Sequence, residues 1–568
     1  MKKHYETHVE DTDKLISVAG PVLDYKSWYE QYRKLMEEQA QRKYGLYTPT
    51  SEGDDDFPSI SGITARYSAL GLTNEQMAEN PVWKDLTGNG HDLQMKNFAW
   101  KGMSGVGGYG DENYQTFYKF TLDDYVFIAS PPSVKHMNFT FRVTGLRPGN
   151  KLTLAFFGTT NTVYGTWDKD GIYTVDADIV EAGKPTYFYN GYGATRGEFT
   201  IEILPLYPGA LVFDGVDDYG VCDNFPILTK EKGYTVVALR QWIEEKNDST
   251  ALVSNCKNWG QNGAFLFEYN NLKINFLNVA ISFGYVSSVD RGKSPFSYQT
   301  SKLYNGKNIE PGSLIGSNEL IVGKGNKDFP TFSKAAIWEL VFLDHDATEE
   351  ELTKIKDYFV KTYPWLFPDQ AWTVVGKTNE DEDRATIANI TGNGNDLVLS
   401  NFGFIEGSGY NKEGEYAGYL VTDGVDDEVR SAAFTLNEDW TIVGNWEFIT
   451  NENKNAGLTK VYSLYLYNRD YGIFVYKYIN AGQGFSVEDV KSLKAICSDG
   501  RIYLNDWQEI RNNIEQEATI SKGVMAIGYF NRDFTKMAFK NLGIYNNQLL
   551  SKEDCIKAYN YLQTLKSK

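Results

Sequence analysis

Two short runs hold the densest chemistry in the chain, LVFDGVDDYG at 211–220 and YLVTDGVDDEV at 419–429. Each drives an apolar strand into Asp-Gly and then returns a pair of aspartates. Carboxylates gathered at a turn suit a hard cation, which needs six to eight oxygens from carboxylates, carbonyls and water. In the first half, Asp217 and Asp218 join Asp85 and Asn89 of WKDLTGNGHDL as the candidate calcium set. The second half keeps Asp426 and Asp427, but Ala388 and Asn389 stand ahead of its turn, with no carboxylate to match Asp85. The competing reading is that Asp-Gly and Asn-Gly are turn formers whose side chains bond the backbone.

Other chemistries find less support. Glycoside hydrolysis needs two carboxylates on one face, at about 5–9.5 Å. Glu202 is alone in FTIEILP, and Glu339 and Asp344 are five residues apart, which puts them on opposite faces of a strand. The five histidines, His4, His8, His91, His136 and His345, are scattered without metal or nucleophile spacing. A non-enzymatic protein is expected, with no cofactor other than calcium. Sugar recognition joins aromatic faces to amide and carboxylate side chains on loops. Trp100, Tyr109 and Tyr219 lie near the duplicated turns, Trp259 and Asn262 share the loop NCKNWGQNGAF, and Trp507 follows a turn in the second half. These six are the candidate glycan contacts.

The elements around the twin turns recur in order. TGNGHDL (87–93) answers TGNGNDL (391–397), and YTVVALRQW (234–242) answers WTIVGNWEF (440–448). The runs at 320–348 and 523–549 also correspond, and each half closes on a helix-like segment, EELTKIKDYF or KEDCIKAYNYL. Such self-similarity marks a duplicated domain. Phe402 and Asp423 are 21 residues apart, whereas Phe98 and Asp214 are 116 apart. The excess is one small domain, and its FTFRV, KLTLAF and FTIEI runs alternate with strand period. The expected organisation is an N-terminal helix and linker at 1–60, a first domain at 61–110 and 207–368, an insertion at 111–206, and a second domain at 369–568.

Composition narrows the class. The 568 residues exceed one core. A net charge of −19 without a basic block disfavours nucleic acid. No 18-residue apolar run is present, so membrane insertion is not expected. Four cysteines without a CxxC are too few for a disulfide scaffold, although Cys222 and Cys256 could pair. No apolar core follows Lys2 and Lys3, which predicts synthesis without an export signal. Residues 24–44 read as an amphipathic helix whose stripe is Tyr25, Trp28, Tyr29, Tyr32, Leu35 and Met36. That stripe is the expected assembly surface, and a homo-oligomer is expected.

The pair of signatures W-x-D-L-T-G-N-G and F-D-G-V-D-D-Y resembles the concanavalin A-like lectin/glucanase superfamily in its laminin-G-like branch. The resemblance covers most of 62–568. It implies an all-β protein of two jelly-roll sandwiches, the first interrupted by a small β-sandwich, after a short N-terminal helical segment. The inserted tract resembles small sandwiches found in proteins of gut Bacteroidales and their crAss-like phages. A virion structural protein is therefore implied, as a fibre, decoration or tail-associated component. It would join other virion proteins through its N-terminal segment and touch host capsular polysaccharide. The alternative is a carbohydrate-binding protein or adhesin of the bacterial cell surface.

Overall fold

A computed structural model describes residues 56–109, 119–122, 125–128, 136–156, 162–180, 186–191, 197–229, 231–244, 250–255, 266–268, 294–308, 317–325, 331–449, 465–467, 472–473, 492–504, 506–511, 520–527, 529–530, 533–534 and 536–567. Residues 56–568 form one compact unit. The protein is all-β, built from antiparallel sheets with three short α-helices among the described residues. The predicted helix over 24–44, with Tyr25, Trp28, Tyr29, Tyr32, Leu35 and Met36, lies outside the described residues.

Two large sheet pairs repeat one plan. In the first, Thr235–Glu244 and Lys334–Leu343 form the centre of an eight-stranded sheet, flanked by Leu211–Asp214 and Gly105–Val106. A six-stranded sheet faces it, with Tyr219–Cys222 between Leu93–Lys96 and Leu320–Val322. In the second, Trp440–Phe448 and Met537–Asn546 take the central places, with Leu420–Val421 and Gly409–Tyr410 beside them. The facing six-stranded sheet there contains Leu397–Ser400 and Glu428–Leu436.

Strand alternation divides the apolar residues between two cores. Val236, Ala238, Ile337, Leu340 and Phe342 face the interior of the first sheet pair. Val237, Leu239, Trp338, Val341 and Leu343 face the other way, into a separate apolar layer. KAAIWELVFL, at 334–343, is buried at every position after Lys334. Such a continuous apolar run is what a sheet covered on both faces requires.

Helices supply that cover. Helix α1, Asn74–Glu79, caps an edge, with Thr73 and Gln76 forming a capping box. Helix α2, Glu349–Thr362, starts on a second capping box between Thr348 and Glu351. It buries Ile355, Tyr358 and Phe359, spaced to share one face. Helix α3, Lys552–Gln563, buries Cys555, Ile556, Ala558, Tyr559, Asn560, Tyr561 and Leu562. A helix apolar nearly all round must be enclosed on more than one side. The layer it enters is continuous from Trp338 of the first sheet pair, through Tyr363 and Trp365 of the connection, to Tyr545 and Trp507 of the second. Tyr545 donates its hydroxyl to the Trp365 carbonyl at 2.8 Å, and Gln241 of the first half donates to Thr564 at 2.9 Å.

The strands from Lys119 to Ile203 pair only with one another, in two four-stranded sheets around Phe141, Leu154, Phe188 and Ile201. The chain leaves the first sheet pair and returns to it side by side. Leu206 N–H donates to Gly108 O at 2.7 Å, and Tyr207 N–H donates to Gly107 O at 2.8 Å. A departure and return this close let the host sheets close as if the insertion were a loop.

Candidate functional site

The two Asp-Gly turns are the same structure built twice. Asp214 Oδ1 accepts from Val216 N–H at 2.7 Å and Asp217 N–H at 3.4 Å. Asp423 Oδ1 accepts from Val425 N–H at 2.7 Å and Asp426 N–H at 3.3 Å. Gly215 and Gly424 both sit at φ 77°, where a side chain would be strained. Asp218 then folds back, accepting from Asp214 N–H on Oδ2 and from the Ser104 hydroxyl on Oδ1, both at 3.0 Å. Asp427 accepts from Asp423 N–H at 2.7 Å and from Ser408 at 3.0 Å. Asn97 and Asn401, both at φ 68°, donate to the Asp217 and Asp426 carbonyls.

Each turn gathers three carboxylates. One oxygen each from Asp214, Asp217 and Asp218 lies within 4.8 Å of the others, and Asp423, Asp426 and Asp427 repeat the arrangement. Burial, then the neighbouring Asp214 charge, pushes the Asp218 carboxyl up to about 8. Burial likewise pushes Asp427 up to about 6. Both carboxyls are held by donors that suit a turn. Each triad could hold a hard cation, which would share the oxygens of Asp218 or Asp427 with the one hydrogen bond that each already accepts.

The structure does not bring Asp85 into the acidic group. Asp85 is buried and organises its own turn. Its Oδ1 accepts from Arg66 N–H, Thr87 N–H and the Thr87 hydroxyl, and its Oδ2 accepts from His91 N–H. Asn389 takes that place in the second half, with Oδ1 accepting from Ala371 N–H, Thr391 N–H and the Thr391 hydroxyl. A neutral amide does the same work as the carboxylate, so the shared role is that of a turn acceptor. Asn89 is exposed and donates to the Thr64 carbonyl at 3.0 Å.

The aromatic candidates scatter. Trp100, at φ 53°, is half-buried and stacks on Phe98 with centroids 4.7 Å apart. Tyr109 is half-buried against the inserted sandwich's core. Tyr219 is half-buried between Phe332 and the Lys324 ammonium, which lies 5.3 Å from its ring centre. Trp507 is corrected outright: it is only 2% exposed, wedged against Tyr503 and Tyr559 in the apolar layer between the sheet pairs. It packs and cannot meet a glycan. Trp259 and Asn262 lie outside the described residues.

Two buried ionic clusters escaped the reading from sequence. Glu268 accepts from Arg240 Nε at 2.8 Å, Trp242 Nε1 at 2.6 Å, Ser297 at 2.6 Å and Tyr304 at 3.0 Å. Burial alone would raise its carboxyl, but the Arg240 guanidinium outweighs this and holds it at about 2. Glu339 accepts from Arg66 Nε at 3.1 Å and from Tyr363 at 2.9 Å, tying an edge strand to α2 and the connection. The available signal was a single charge inside a continuous apolar run, Arg240 in TVVALRQW and Glu339 in KAAIWELVFL. Such a charge is tolerated only with a buried partner.

No family model matches the chain, and no curated protein does. Among solved structures, a mutant HCR/D is 7% identical with a TM-score of 0.18, covering 86% of this chain and 98% of that one. The receptor binding domain of botulinum neurotoxin C/D mosaic serotype is 8% identical with a TM-score of 0.16, covering 86% and 97%. The binding domain of serotype G is 9% identical with a TM-score of 0.17, covering 86% and 98%. Scores this low carry no argument about what the chain does.

Proposed function

We propose that the chain is a non-enzymatic structural component of a phage virion, a rigid arm of β-sandwiches that displays its loops toward host surface glycan. The observation that supports this most is the continuous apolar layer holding the two large sheet pairs together through α2, α3 and the connection at 363–369. An arm that transmits position needs its modules fixed to one another, whereas modules on a string have small, polar contacts. The resemblance of both turn signatures to concanavalin A-like domains of Bacteroidales phage proteins supplies the setting. On this reading residues 1–60 join other virion proteins or further copies of the chain.

The test is direct. Antibodies raised against 56–568 are expected to label purified phage particles at a fixed position in electron micrographs. The full chain is expected to be retained on capsular polysaccharide of a host strain. Labelling of the bacterial envelope in cells that carry no phage would replace the virion by a cell-surface carbohydrate-binding protein. Absence from both would end the proposal.

A further inference from the structure

Two thiols meet in the apolar layer between the sheet pairs. Cys497 ends the strand Ser492–Cys497 of the second sheet pair, and Cys555 lies in the first turn of α3. Both side chains are fully buried, and both belong to that layer. Cys222 belongs to the separate core of the first sheet pair, and Cys256, the partner considered for it from sequence, lies outside the described residues.

The sheet holds the entry of α3 beside the end of the Cys497 strand. Cys497 stands opposite Thr441 on the neighbouring strand. The Thr441 hydroxyl donates to Gln548 O at 2.9 Å and accepts from Leu550 N–H at 3.0 Å, which fixes the segment leading into α3. Arg501, just beyond Cys497 across the turn at Gly500, donates from Nη2 to Leu550 O at 3.0 Å. Cys555 N–H donates to Ser551 O at 2.9 Å, so the helix is already formed at this residue. The Cys555 thiol donates to the Cys497 sulfur, and this bond, with the Arg501 guanidinium nearby, draws the Cys497 thiol below its ordinary range. Burial pushes the Cys555 thiol up and keeps it protonated. The thiolate is the reactive form of a cysteine, so the pair is polarised, with Cys497 the attacking sulfur.

We propose that Cys497 and Cys555 are a latent disulfide, closed by hydrogen peroxide, that locks α3 onto the second sheet pair. The Cys497 sulfur attacks one peroxide oxygen, the O–O bond breaks, and the other oxygen leaves as water with the thiol proton. The sulfenic acid so formed is attacked at sulfur by Cys555, the S–O bond breaks, and the hydroxyl leaves as a second water with the Cys555 proton. Two thiols are oxidised and one peroxide is reduced. The oxidant is small because neither sulfur is exposed, and it enters through local opening of the helix end. The closed bond ties the helix that covers the layer to the sheet beneath it. This inference is independent of the virion reading.

Peptide mapping of the full chain tests it. Protein purified under reductant is desalted, exposed to millimolar hydrogen peroxide while folded, then unfolded with a maleimide present and digested without reduction. A linked pair of peptides containing Cys497 and Cys555 is expected, absent before peroxide and reversed by dithiothreitol. The melting temperature of the oxidised chain is expected to rise by about 5 °C. Cys555→Ala is expected to stop at a Cys497 sulfenic acid that dimedone labels, and Cys497→Ala to leave Cys555 a free thiol. In the unmodified sequence, maleimide on both cysteines after peroxide would overturn the proposal, as would a bond from either to Cys222 or Cys256. A linked pair without the rise in melting temperature would overturn the lock.

Discussion

Asp427 stands in the second sandwich where Asp218 stands in the first, and each receives a serine hydroxyl at 3.0 Å from the hairpin beside it. The geometry is shared, but the electrostatics are not. Burial with the nearby Asp214 charge takes Asp218 up to about 8, while Asp427 reaches about 6.

The difference predicts a two-stage pH response. A carboxyl whose folded pKa is raised binds its proton more tightly in the native state than in the unfolded chain, whose value is 3.8. Its contribution is fully present below the unfolded value and is lost as pH rises through the folded one. Melting temperature should therefore fall from about pH 4 to about 6 through both groups, and onward to about 8 through Asp218 alone. Asp218→Asn should flatten the upper stage and Asp427→Asn should steepen nothing above pH 6. An upper slope unchanged in Asp218→Asn would mean that this carboxyl is ionised in the folded protein.

Calcium is tested in the same apparatus. A triad that holds a cation predicts that millimolar calcium raises the melting temperature relative to chelator, and an unchanged melting temperature would leave these aspartates as turn formers. A rise that disappears in Asp217→Asn would put a cation on the triad, by preferential binding to the native state.

Glu268 predicts an acid limb of opposite sign. Its folded pKa is depressed from 4.5 to about 2, so its contribution is present above the unfolded value and is lost as pH falls between the two. Glu268→Gln should remove that limb and leave the fully buried Arg240 without its counter-charge, at a cost of about 3–5 kcal/mol. Denaturant titration of the variant measures it. A loss below about 1 kcal/mol would mean that the pair contributes no more than a surface one.

The shared apolar layer predicts coupled unfolding. Calorimetry of the full chain should show the two large sheet pairs melting together, and 369–568 expressed alone should be markedly less stable than in the full chain. Gly543 gives a point test, since a Cβ there would lie 3.1 Å from both methyl carbons of Leu562 on α3. Gly543→Val should cost about 1–3 kcal/mol through overpacking. Two well-separated transitions in the full chain would show that the layer does not couple the halves.

The inserted sandwich meets α3 through Arg142, which donates to Glu202 at 2.8 Å and to Glu553 at 3.0 Å. These groups are partly exposed, so Arg142→Ala should cost no more than about 1 kcal/mol. Hydrogen exchange in the first turn of α3 should nevertheless quicken. An unchanged exchange pattern would assign the docking to Ile172 and to the Asn560 bond to Pro205 O at 3.1 Å.

What the residue order determined alone was local. The all-β class follows from short apolar runs punctuated by Asn, Asp and Gly, because strand period and turn conformation depend on neighbours a few residues apart. The twin turn was legible for the same reason: Asp214 binds the amides two and three residues on, and Asp423 does likewise. Its protonation was not legible, because Ser104 lies 114 residues from Asp218 and burial is a property of the assembled sheets. Trp507 looked like a loop aromatic because its turn is local, and it is a core residue because Tyr559 arrives from α3. The two-faced burial of KAAIWELVFL could have been read from its apolar run, interrupted after Lys334 by Glu339 alone, yet what covers it could not. That cover comes from helices and a second sheet pair whose contacts span hundreds of residues, and only the tertiary structure brings them to one layer.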